Sequence, residues 1–209
     1  MAISWKRLGA YLSIFGGIQF IIITAIIMLI YPGGYNFFFN SFSQLGQAVT
    51  NSVPTPQNWF LFAFTCTLVA ACSIPFWLAI RMVFTGSSRI FYLSWIGTIL
   101  GFLAAVFVSS LAIFAMDVFP SLHGYSTYAF FFFISSAIIV YTIAILLNKD
   151  YENLYAIIGI IVAILAYTYL IGMIFNVPII EGAAMQKVAV YGLILWSAFQ
   201  GYKLLKVFD

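Results

Sequence analysis

The chain has 209 residues, of which 65% are hydrophobic, 20% aromatic and only 6% charged, whereas a soluble domain draws roughly a quarter of its residues from Asp, Glu, Lys and Arg. Such a composition cannot clothe a surface facing water, which excludes soluble enzymes, nucleic-acid binders and disordered scaffolds and leaves an integral membrane protein. The formal charge of +3 comes from cations scattered singly or in pairs, so they form no nucleic-acid-binding patch.

A helix crossing about 30 Å of hydrocarbon needs about 20 mostly apolar residues. Six runs meet that length, at 8–30, 58–80, 90–116, 125–147, 155–175 and 186–205. Most are apolar all round, without the 3.6-residue stripe of a surface helix, so each must be covered by lipid or by its neighbours. Nothing alternates over about ten residues as the strands of a membrane barrel do. The fold class is all-α, a polytopic bundle of six transmembrane helices in a single domain over 1–209.

The first run is about twice the length of a signal-peptide core and lacks a small-residue cleavage site, so it is expected to remain as a membrane helix. Residues 31–57 follow without a single charge and are too long for a simple turn. Phe38, Phe42, Leu45 and Val49 recur at helical spacing, with Asn40, Gln44, Gln47 and Asn51 on another face. The spacing predicts an amphipathic interfacial helix over about 37–50, interrupted by Gly46 and ended by Pro54 and Pro56. It would serve as a lid over an outward-facing pocket or simply seal the rim of the bundle. In the second run Pro75 predicts a kink. Cys66 and Cys72 lie six apart on different faces, which reads as packing rather than a disulfide. Gly97 and Gly101 in the third run make a small-x-x-x-small pair that permits close helix approach.

The connection after the third run carries Asp117, Ser121 and the single histidine, His123; the one after the fifth carries Glu181, with Lys187 just beyond. Of the eight cations, Lys6, Arg7, Arg81, Arg89, Lys149, Lys203 and Lys206 gather at one end and Lys187 stands alone at the other. By the positive-inside rule both termini are cytoplasmic, in a multi-pass protein of the cell membrane.

Asp117 and Glu181 are isolated acids beside apolar helices, where a carboxylate needs a partner or water. Four readings explain them. They pair with Lys187 or bond to His123; they hold a metal together with His123, three ligands with an open fourth position being the catalytic-zinc pattern; Asp117 orients His123 to activate Ser41, Ser43 or Ser121 for acyl transfer; or His123 recognises a lipid headgroup without chemistry. No Gly-x-Ser-x-Gly elbow is present. Every ionisable Asp, Glu, Lys, Arg and His falls in a connection or at a helix end, which argues against ion-coupled transport. Two cysteines and one histidine exclude a four-cysteine iron–sulfur cluster and a bis-His haem, and there is no glycine-rich phosphate loop. Gln19, Asn176 and Gln200 read as interhelical hydrogen-bonding groups. Pro120 with Gly124, Pro178 with Gly182, and Pro32 with Gly33 and Gly34 suggest three helical hairpins with similar turns.

Tyr31-Pro32-Gly33, Ser43-Gln44-Leu45-Gly46, Asn58, and Phe119-Pro120 followed by His123-Gly124 resemble an uncharacterised family of six-span prokaryotic membrane proteins, filed as domain of unknown function number nine hundred and ninety-eight. The family pattern reads closer to Tyr-Pro-Gly-Tyr-Ser, from which Gly34 and Asn36 depart. A distant similarity to the DRAM and Sfk-like membrane proteins implies a role connected with lipids, by analogy of fold alone.

The functional expectation is an outward-facing polar pocket that binds or handles a lipid or other amphiphile through Asp117, His123, Glu181, Lys187, Ser43, Gln44 and Asn40. One alternative is a lipid hydrolase or transferase using the Asp/His/Glu cluster; another is a non-catalytic subunit or scaffold. No cofactor is expected, with zinc at Asp117, His123 and Glu181 as the exception. Membrane lipids, and a membrane-protein partner or second copy, are the expected partners.

Overall fold

The structure, a computed structural model, describes residues 4–209. Its long helices are α1 (Trp5–Leu29), α3 (Pro56–Arg81), α4 (Ser88–Ile113), α5 (Pro120–Leu147), α6 (Asn153–Phe175) and α8 (Ala183–Val207), all long and apolar enough to cross a membrane. Two four-residue helices, α2 (Phe42–Leu45) and α7 (Pro178–Glu181), lie in the connections at one end. Local signals set the boundaries. The Ser4 and Ser87 hydroxyls accept from the N–H groups of Arg7 and Ile90 to cap α1 and α4. Proline opens α3, α5 and α7, where a missing N–H costs nothing. Asn176 closes α6 in the left-handed conformation, φ 50°.

The helices form a closed ring. Each packs against the next long helix in the chain, and α8 closes the circle by packing against both α6 and α1. Outward faces are apolar, as at Ile22, Ile99, Ile161 and Leu195, which is the surface lipid requires. On the half of the ring nearer the seven cations, the interior is filled by rings: Trp77 stacks on Tyr141 at 5.7 Å and lies 5.8 Å from Trp196. Gly97 and Gly101 serve this packing. A Cβ on them would fall 2.6 Å from the Tyr141 ring and 2.3 Å from the Trp77 ring, so the small pair makes room for aromatic side chains. Gln19 links α1 to α3, its amide donating to the Thr65 carbonyl and its oxygen accepting from the Thr65 hydroxyl at 2.7 Å. Gln200 accepts from the Tyr151 hydroxyl at 2.7 Å. Cys66 and Cys72 are free and buried.

The segment between α1 and α3 differs from its expectation. The amphipathic helix predicted over 37–50 shrinks to α2, Phe42–Leu45. Short polar side chains intercept the backbone N–H groups that a longer helix would use. The Asn36 side chain accepts from Phe38 and Phe39, and the Asn40 side chain accepts from Asn36. Ser41 then starts a new helix with a capping box, the Gln44 side chain accepting from the Ser41 N–H at 2.7 Å. Gly46 ends it where a Cβ would strike the Phe62 ring of α3 at 2.4 Å. A tiny antiparallel hairpin follows, β1 (Val49–Thr50) and β2 (Val53–Pro54), turned by Asn51 and Ser52 at φ 50° and 65°. Of the four apolar residues predicted to share a face, Phe42 and Leu45 are buried and Phe38 and Val49 are exposed.

Candidate functional site

The α4–α5 connection is only six residues long, so α5 begins beside the end of α4. That reversal brings His123, in the first turn of α5, against the last turn of α4. Carbonyls of a final helical turn have no partner within their own helix, and His123 supplies one. Its Nδ1 lies 2.7 Å from the Leu111 carbonyl oxygen and 3.0 Å from that of Phe114. Two carbonyl acceptors place the ring proton on Nδ1. In the neutral ring Nε2 is then an acceptor, and the Ser43 hydroxyl donates to it at 3.0 Å. Ser43 and His123 are both buried, each 8% exposed.

Ser43 is held by the capping box of α2 and by α8, where the Gln186 side-chain oxygen accepts from the Phe42 N–H at 2.7 Å. That bond orients the Gln186 amide, leaving its NH2 as the donor end. Beneath these residues, between α1, α3, α4, α5 and α8, lies a cavity of about 150 Å³. Phe42, Ser43, Thr127 and Gln186 line the end nearer the long connection; Phe76, Trp77 and Trp196 line the other. Its wall is almost wholly apolar, with Gly16, Gly17 and Ala105 among its small lining residues. Ser13 and Ser73 also line it but return their hydroxyl hydrogens to carbonyls of their own helices, Ala10 and Ala70, both at 2.8 Å. Thr127 does the same toward the His123 carbonyl.

Lys187, one residue beyond Gln186, is 2% exposed. No carboxylate pairs with it among the described residues. Its ammonium donates to the carbonyls of Asn40 and Ala183 and lies 5.3, 5.0 and 5.4 Å from the ring centres of Tyr35, Phe37 and Phe42. Carbonyl oxygens and ring faces replace the counter-ion. Tyr35 also donates its hydroxyl to the Asn40 carbonyl at 2.8 Å. Outside the membrane-spanning helices, burial pushes the Tyr31 and Tyr35 phenols above their usual range, so both remain protonated donors at neutral pH.

The predicted residues therefore divide. Ser43 and His123 meet. Asp117 does not join them: it is exposed, and its carboxylate accepts the N–H groups of Ala48 and Val49 at 3.1 and 2.9 Å, clipping the hairpin to the α4–α5 connection. The orienting role foreseen for Asp117 falls to the end of α4. Glu181, half-buried at the end of α7, makes no ion pair among the described residues, so the expected pairing of the outer acids with Lys187 is absent there. Asn40 and Gln44 hold up the turn before α2, and Ser41 caps it. Ser121 is exposed. Among the described residues no three His, Cys, Asp or Glu side chains converge as metal ligands, and Asp117 and His123 are turned to backbone groups instead. Gln186 was missed. Its position beside Lys187, a polar pair at the head of an apolar run, was the available signal.

No protein-family model, no curated protein and no solved structure matches this chain. Its class rests on its own architecture: an integral membrane protein built as a six-helix bundle. Within that class its distinguishing features are the closed ring, the apolar cavity and the Ser43–His123 pair at one end of it.

Proposed function

We propose that this protein binds a lipid or other amphiphile, with the apolar part in the ring cavity and the polar end at Ser43, Thr127 and Gln186. The observation that carries the reading is the cavity itself, about 150 Å³ with an almost wholly apolar wall. An apolar space of this size stays dry and accepts an apolar guest. The seven cations at the far end support an orientation with both termini in the cytoplasm and the cavity's polar end toward the outer leaflet.

The test is native mass spectrometry of gently extracted protein, beside an Ala105→Phe variant whose ring occupies the cavity. The wild type should carry a retained lipid and the variant should lose it at an equal or higher melting temperature. Identical lipid occupancy in both would remove the cavity from the binding site.

A further inference from the structure

The geometry points to Ser43 as an acyl-accepting nucleophile, with His123 as its general base and the last turn of α4 in the place usually held by an acid. This inference rests on the amphiphile-binding reading and names its substrate class, a fatty-acyl ester. Three observations carry it. Ser43 Oγ lies 3.0 Å from His123 Nε2, within the 2.6–3.2 Å reach of a nucleophile and its base. The tautomer is the productive one, since Nδ1–H is committed to the Leu111 and Phe114 carbonyls and Nε2 is left to take a proton. Ser43 lines the cavity, so the group to be acylated stands at the mouth of the space that would hold the acyl chain.

The Leu111 and Phe114 carbonyls answer what an imidazole needs in this role. When Nε2 accepts a proton the ring becomes a cation, which in a buried site requires negative charge nearby. The carbonyl end of a helix carries about half a negative charge and favours a protonated histidine. Here α4 ends in two carbonyls already aimed at Nδ1–H, so orientation of the ring and stabilisation of its charge come from one element.

In the first step Ser43 Oγ bonds to the acyl carbonyl carbon while its proton passes to His123 Nε2. The ester C–O bond then breaks, and the leaving alcohol takes that proton. Water or an acceptor alcohol next gives its proton to the freed Nε2 and attacks the Ser43 ester, and the returning proton restores the serine hydroxyl. No redox partner is involved.

The experiment exposes the detergent-purified protein to the p-nitrophenyl ester of a medium-chain fatty acid and to an alkyl fluorophosphonate, and reads intact mass and the modified peptide. One adduct on Ser43 is expected, present in the exposed-serine control Ser121→Ala, absent in Ser43→Ala, and formed at least about 100-fold more slowly in His123→Gln. Ser43→Cys keeps the site's size and should hold a thioester that hydroxylamine releases, which separates loss of chemistry from loss of fold. An unmodified wild type, or an adduct that survives Ser43→Ala, overturns the inference. Retained lipid in the same sample without an adduct overturns acylation and leaves binding standing; absence of both overturns the two together.

Discussion

At the basic end of the ring, Arg7 pairs with Asp209 at 3.0 Å, Lys203 with Glu152 at 2.5 Å, and the Arg81 guanidinium lies 3.9 Å from the centre of the Trp95 ring. These groups sit at helix ends joined by short turns, and the two acids are well exposed, 67% and 61%. At the loop end a single ammonium, Lys187, is buried without an acid, and the nearest carboxylate with defined partners, Asp117, is spent on two backbone N–H groups. The difference teaches how each end is built. Where side chains reach water or headgroups, charges can neutralise one another cheaply and contribute little to stability. Where the 26 residues between Leu29 and Pro56, mostly outside regular elements, must close over an apolar ring, polar side chains are consumed in satisfying the backbone, because an unpaired buried N–H or C=O is costly.

The comparison is most sharply tested at Lys187. Lys187→Met removes charge-assisted bonds and three ring contacts, and should destabilise the loop end by roughly 2–3 kcal/mol. It would appear as a lower melting temperature in detergent and as proteolysis within residues 32–41. An unchanged or raised melting temperature would mean that desolvating the ammonium outweighs its carbonyl and ring partners. Asp117→Ala should cost about 1 kcal/mol by freeing the Ala48 and Val49 N–H groups. Hydrogen exchange should accelerate at those two amides and not around His123; faster exchange at both places would tie Asp117 to the Ser43–His123 pair after all.

The smallest effect belongs to the basic end. The Lys203 ammonium beside Glu152, donating to its carboxylate, holds that carboxyl below its usual range. A depressed folded-state value means that the pair's contribution is complete at neutral pH and is lost as pH falls through the acid range below an ordinary glutamate. Because Glu152 is exposed, Glu152→Gln should change stability by under about 1 kcal/mol at pH 7 and by nothing once both forms are neutral. A melting curve as a function of pH checks this, and a shift of several degrees at pH 7 would place the pair among the main supports of the fold.

Much of the site was legible as residue types but not as partnerships. Ser43 and His123 stand 80 positions apart, and acyl transfer was one of four readings open to them. What paired them is the short reversal after α4 together with the α2 cap, and neither has a periodic pattern. Asp117 orients His123 in only one of the four sequence readings, and the hairpin it clips instead exists only once Asn51 and Ser52 turn the chain. The helix over 37–50 failed for a related reason. Its periodicity was real, but Asn36, Asn40 and Ser41 offered the backbone local hydrogen bonds that competed with continued helix.

The six membrane helices, their order and the crowding of cations at one end follow from the sequence alone, since hydrophobic length and Lys/Arg position act locally and need no partner to be read. Closure of the ring by α8 on α1, the cavity within it and the meeting of Ser43 with His123 were decided by tertiary structure. Helices apolar over most of their surface mark an inward face only where a polar residue such as Gln19 or Gln200 falls on it. The fit of Trp77 against Gly101 and of Tyr141 against Gly97 settles the rest, because steric complementarity is a property of pairs and not of single residues.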